Sequence, residues 1–142
     1  MRTAVIALLG SVAVLAPGAE LSISVSGSGK ADGKDFSFTV SASDVTKTPI
    51  WAPTAEHPPL SPRQALGIAR NQLRTLVKDA DDWPLHEIGL TDMGDHLHWI
   101  YMVYFFRKYP PDVAVYGADH FYIPVLMDGR VIKPKVRSLP KT

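Results

Sequence analysis

From Leu21 to Ser26 apolar and polar residues alternate one for one, with Leu21, Ile23 and Val25 on one side and Ser22, Ser24 and Ser26 on the other. That period of two is the pattern of a half-buried strand. Phe36, Phe38, Val40 and Ala42 alternate in the same way with Asp35, Ser37, Thr39 and Ser41. Between the two runs, Gly27 to Lys34 is rich in Gly and Ser and predicts a flexible turn, so residues 21–42 read as a β-hairpin with one apolar face. Prolines at 49, 53, 58, 59 and 62 then interrupt the chain. Proline lacks the donor that a strand or helix interior needs, which makes 48–62 a connector, pinned to the core edge by Ile50 and Trp51.

Behind the connector the apolar period lengthens to that of a helix. Ala65, Leu66, Ile68, Ala69, Leu73, Leu76 and Val77 form one stripe, while Arg63, Arg70, Arg74 and Lys78 fall toward water. Ser61 is a helix cap, Pro62 suits the first helical position and Gln64 completes a Ser-x-x-Gln capping box, with Leu60 and Ala65 placed as a hydrophobic staple. A helix over about Pro62 to Lys78 is predicted. After Asp79-Ala80-Asp81-Asp82 the period returns to two. His86, Ile88 and Leu90 mark a short strand, Thr91 to Asp95 a turn, and Leu97 to Phe106 a long strand apolar on both faces, hence central and covered on both sides. His120 to Met127 and Arg130 to Lys135 flank Asp128-Gly129, a dipeptide suited to a two-residue hairpin turn. Pro124 places an edge or a bulge in the first of these strands. The predicted fold class is α+β: one main helix packed on an antiparallel β-meander, preceded by an N-terminal β-hairpin. Ala65, Ala69, Leu73 and Leu76 should face Trp99, Tyr101, Val103 and Phe105 of the long strand.

The run Leu60-Ser61-Pro62-Arg63-Gln64-Ala65-Leu66-Gly67-Ile68-Ala69 resembles the helix opening of PepSY-like domains, in which a Ser or Thr cap precedes an Ala-Leu-x-x-Ala run. Trp99-Ile100-Tyr101-Met102-Val103 is similar to their Tyr-x-Val strand, and Val125 to Ile132 resembles their closing hairpin, with a shorter turn. The likeness spans roughly residues 60 to 133 and leaves the hairpin at 21–42 outside. It implies an exported accessory or inhibitory module, associated with proteases or cell-envelope proteins, with no catalytic residues to carry over.

At the start of the chain, Arg2 precedes the uncharged, largely apolar run Ala4 to Leu15 and the small residues Ala16-Pro17-Gly18-Ala19. This is the layout of a cleavable signal peptide, residues 1–19, and the run is shorter than the roughly 20 residues a spanning helix needs. The expectation is a periplasmic or secreted protein without a stable membrane anchor after cleavage, its residues 20–142 forming a single domain. The 15 Lys and Arg against 14 Asp and Glu become equal once Arg2 is removed, so there is no general electrostatic case for nucleic acid. Arg130, Lys133, Lys135, Arg137 and Lys141 nevertheless crowd the C-terminus with no acid after Asp128. Such a run is a solvated tail or a surface for an anionic partner. With no cysteine, the domain relies on packing and has neither a disulfide nor a thiolate metal site.

Recognisable chemistry is sparse. Ser26-Gly27-Ser28-Gly29-Lys30-Ala31 departs from a phosphate loop at both ends, and no helix follows it. No Gly-x-Ser-x-Gly occurs, and the reading is that the protein is not an enzyme. His96 and His98 would share one face if both lay on a strand, with Asp95, Asp119 or His120 as a third ligand for Zn or Cu. The segment Arg107 to Ala118, carrying Tyr109, Val113, Val115 and Tyr116 between cations and Pro110-Pro111, has the composition of a contact surface for a protein partner. Two functions therefore stand side by side: a non-enzymatic interaction module without a cofactor, possessing an unidentified protein partner, and a small exported metal-binding protein built on the His96, His98 and His120 imidazoles.

Overall fold

The computed structural model describes residues 24–114 and 117–141. The predicted leader and the start of the predicted first strand, Leu21 to Ile23, lie outside the described residues. Two strands, β1 (Val25–Ala31) and β2 (Lys34–Val40), precede a short helix α1 (Ala42–Val45) and the main helix α2 (Pro62–Leu76). Four more follow: β3 (Leu85–Asp92), β4 (Trp99–Phe106), β5 (His120–Leu126) and β6 (Lys135–Ser138). All six strands join one antiparallel sheet in the order β3-β4-β5-β1-β2-β6, with α2 on one face, an α+β fold. No helix among the described residues is long and apolar enough to cross a membrane.

α2 begins where its cap requires. The Gln64 backbone N–H donates to Ser61 Oγ at 3.2 Å and the Ser61 N–H to Gln64 Oε1 at 3.0 Å, satisfying two donors that the first turn leaves free. Its stripe delivers Ala65, Ala69 and Leu73, all fully buried, onto Tyr101, Val103 and Phe105 of β4 and Phe121, Ile123 and Val125 of β5. Leu76 is only partly buried, at the margin of this core. The Tyr101 hydroxyl donates to the Leu60 carbonyl at 2.6 Å and ties the staple residue to the sheet. Arg70, expected to face water, instead donates to the carbonyls of Ala80 and Trp83 and lies 4.8 Å from the Phe105 ring centre, because its long stem reaches the turn that follows α2.

Three expectations need correction. Gly27 to Ala31 is strand rather than turn, and the chain reverses only at Asp32-Gly33, both at positive φ (51° and 72°), as a two-residue hairpin turn needs. The glycines serve close approach: a Cβ on Gly29 would lie 2.3 Å from the Phe121 ring, and one on Gly27 2.3 Å from the Tyr122 carbonyl oxygen. Next, the tight turn centres on Met127-Asp128 rather than on Asp128-Gly129: the Gly129 N–H donates to the Leu126 carbonyl at 2.9 Å, Gly129 alone of the turn takes positive φ (87°), and no hairpin continues from it. β5 already has β4 on one edge and β1 on the other, so Val131 meets it only at Val125 and the chain crosses to pair β6 with β2. Pairing of β1 with β5 stops at Tyr122, before Pro124, which has no N–H to extend it. Finally, β4 is central but unevenly covered. A second cluster of Val40, Val45, Met93, Ile100, Met102 and Leu126 closes one end of the face opposite α2, and no described element packs over the other end, at Tyr104 and Phe106.

Candidate functional site

The uncovered end of the sheet carries two rows of side chains whose composition changes across it. Strand register sets Tyr104 opposite Tyr122, Tyr122 opposite Ser28, Ser28 opposite Ser37 and Ser37 opposite Lys135. The adjacent row runs Phe106, His120, Lys30, Asp35 and Arg137. Since directly paired residues share a face, these two rows lie opposite Val103, Phe105 and Phe121, which pack on α2.

The β3-β4-β5 half is aromatic. Tyr104 lies 4.6 Å from Phe106 and 5.1 Å from Tyr122, ring centre to ring centre, and a register irregularity between Leu85 and Glu87 sets His86 5.2 Å from Tyr104 and 5.0 Å from Phe106. The ring planes are tilted by 52° to 89°, so rings meet edge to face and leave ridges rather than a flat platform. Tyr104, Phe106, His120 and Tyr122 are half-buried and His86 is exposed. Burial, with the neighbouring Tyr122, raises the Tyr104 phenol above its ordinary range and keeps it neutral.

The β1-β2-β6 half is hydroxylic and cationic. Ser26, Ser28, Ser37 and Thr39 are exposed, and Arg137 donates to Asp35 at 3.0 Å. Lys30 and Lys135 form no ion pair among the described residues. A groove of about 550 Å³ runs between His120 and Lys30 on one side and Lys135 and Arg137 on the other. Such a face can hold ligand rings or apolar side chains at one end and neutralise acids at the other.

The residues singled out by sequence lie elsewhere, His120 excepted. His96 and His98 do not share a strand face, because β4 begins only at Trp99. Asp92 accepts from the N–H groups of Gly94 and His96, and Asp95 from those of Leu97 and His98, which hold 92–98 as a loop with His96 at φ 60°. Each imidazole is taken by a carboxylate, His98 Nδ1 by Asp95 at 2.5 Å and His96 Nδ1 by Asp92. Burial alone would raise the Asp95 carboxyl; hydrogen bonds from the His98 ring and from two backbone N–H groups outweigh it and hold the pKa down at about 2. His120 pairs with Phe106 at the far end of β4, on the order of 25 Å from His98 at a strand rise of about 3.3 Å per residue. The three imidazoles are therefore not brought together, and no group of three or more His, Asp or Glu is poised for a metal ion among the described residues.

In the loop after β4, the Tyr109 hydroxyl accepts from the Asp119 N–H at 3.1 Å, and Val113 is half exposed. Val115 and Tyr116 lie outside the described residues. Tyr109, Pro110 and Pro111 border a groove of about 660 Å³ shared with Arg70 and Trp83. Where this loop leaves β4, Arg107 is a structural clasp: its guanidinium reaches Asp32, Asp79 and Asp119, each at 2.9 Å, and lies over Trp83. The open face itself was legible only as the alternate register of β4, where Tyr104 and Phe106 follow Ile100 and Met102.

No family model matches the chain, and no match is found among curated proteins or solved structures.

Proposed function

We propose that the protein is an exported, non-enzymatic interaction module that holds an extended acidic segment of a partner protein across its open sheet face. The observation behind this reading is the pairing, on one uncovered surface, of an interlocked aromatic half with a half bearing Lys30, Lys135 and Arg137. Six strands about 4.8 Å apart span roughly 24 Å, the length of about seven residues of extended peptide. A segment with aromatic and acidic side chains matches both ends of that path. The partner class is an envelope or secreted protein, a protease among them, in keeping with the accessory role that the PepSY-like pattern of residues 60–133 implies. The leader-like residues 1–19 support export.

Binding of a fluorescent octapeptide of four Tyr followed by four Glu, monitored by anisotropy at low and high salt, tests this reading. Saturable binding is expected, weakening as salt screens the cationic half, with at most one-tenth of the affinity for an octapeptide of Glu alone. Equal affinity for single-stranded DNA, or no loss when Tyr is omitted, would overturn it.

A further inference from the structure

The sheet ends in β3 and β6, whose outer edges pair with no strand among the described residues. Along such an edge the main-chain groups of successive residues alternate between inward and outward. The Met93 N–H donates inward to the His98 carbonyl, so on β3 the N–H and C=O of Ile88 and Leu90 point outward. The Leu139 N–H donates inward to the Gly33 carbonyl, which leaves those of Val136 and Ser138 outward on β6. The two edges also differ in charge. Glu87 of β3 is exposed and forms no ion pair among the described residues, whereas β6 carries Lys135 and Arg137. Between these two cations Val136 is 54% exposed.

Strand direction decides how these edges can meet. Every neighbouring pair is antiparallel, so across six strands β3 and β6 run in opposite directions. A second copy in the same orientation therefore brings its β3 antiparallel to β6, with both α2 helices on one side. We propose that copies of this chain associate head to tail in this way, the outward groups of Val136 bonding those of the partner's Ile88. In that register Val136 meets the partner's Ile88 on the α2 side, and Arg137 meets the partner's Glu87 on the open face, an opposite-charge pair directly across the strands. Each side chain keeps the face it has within one copy: Val136 pairs with Phe36 and Ile88 with Val103 on the α2 side, Arg137 with Asp35 and Glu87 with Tyr104 on the other. Pairing β6 with a second β6 about Val136 would instead set Arg137 against the partner's Lys135 twice, which repels. Because the joined edges differ, the assembly does not close at two copies but continues as a ring or filament.

Sedimentation of the full chain over a rising concentration series, at low and high salt, tests the proposal. The mass should climb beyond that of a dimer and fall back at high salt as the pairs of Arg137 with the partner's Glu87 are screened. Arg137→Glu and Glu87→Arg should each leave the chain monomeric. An equimolar mixture of the two variants should associate again, since every joint between unlike variants unites opposite charges. Val136→Pro removes one outward N–H and no charge, and it should abolish association while circular dichroism shows the chain still folded. A chain monomeric at every concentration, growth that halts at a dimer, or a mixture that stays monomeric would overturn the proposal. So would association undiminished by Arg137→Glu, which would place the contact elsewhere.

Discussion

Arg107 concentrates more of the fold in one side chain than any other charged residue described. It joins the β1–β2 turn through Asp32, the end of α2 through Asp79 and the start of β5 through Asp119. Hydrogen bonds to the three carboxylates raise its pKa still further, against the pull of desolvation, so it stays charged throughout. Arg107→Met should cost about 1 to 3 kcal/mol in urea unfolding, the range for losing hydrogen bonds to a partly buried charge. Two carboxylates add a pH dependence. Asp95 is held at about 2, where desolvation is outweighed by His98 and backbone donors, and Asp79 is lowered where desolvation is outweighed by hydrogen bonds from Trp83 and Arg107. A folded pKa below the unfolded value near 3.9 means that the unfolded chain binds the proton first. That stabilisation is complete above about pH 4 to 5 and lost as pH falls toward 2. Asp95→Asn should flatten this limb of a stability–pH curve, and an unchanged acid limb would show that Asp95 carries none of it.

At the scale of elements, what the sequence made legible depended on whether a local signal had a local cause. Helix α2 announces itself because its cap and its stripe are both written within sixteen residues, and Ser61, Gln64 and Leu73 do in space what their spacing implies. Leu73→Ala should therefore cost about 2 to 5 kcal/mol, measured by chemical denaturation. Gly27 to Ala31 reads as a turn in the sequence because glycine has two uses, a freely turning backbone and close approach. Only the position of Phe121, about ninety residues away, shows that Gly29 serves the second. Gly29→Ala should accordingly destabilise by about 1 to 3 kcal/mol as Phe121 is displaced, whereas Gly33→Ala would strain the turn through its positive φ without touching the core. Equal costs with an unchanged Phe121 environment would contradict that distinction. β6 was invisible for a similar reason: its partner is chosen by which sheet edge remains free, and no residue near Lys135 records that.

For the whole molecule, the division of labour runs through the sheet. One face is closed by α2 and holds the larger core; the other, among the described residues, is closed only where Val45 and Met93 cover Ile100 and Met102. Half of the candidate site was present in the alternation of β4. The cationic half required knowing that β6 lies beside β2, which puts Lys135 and Arg137 in line with rings from β4 and β5. His96, His98 and His120 are kept apart on the same global ground, since one pair sits in a loop at one end of β4 and the third imidazole at the other. Export is proposed at this scale too: N-terminal sequencing of protein recovered outside the cytoplasm should start near Ala19 or Glu20, and an intact Met1 on a folded cytosolic form would contradict it. The central claim, that the open sheet face is the binding surface, is tested most directly by mapping amide shifts on adding the octapeptide of four Tyr followed by four Glu. The largest shifts should fall on Ser28, Ser37, Tyr104, Tyr122 and Lys135, and Tyr122→Ser with Lys135→Glu should remove them while Tyr109→Ser does not; shifts centred instead on residues 107–114 would contradict the account.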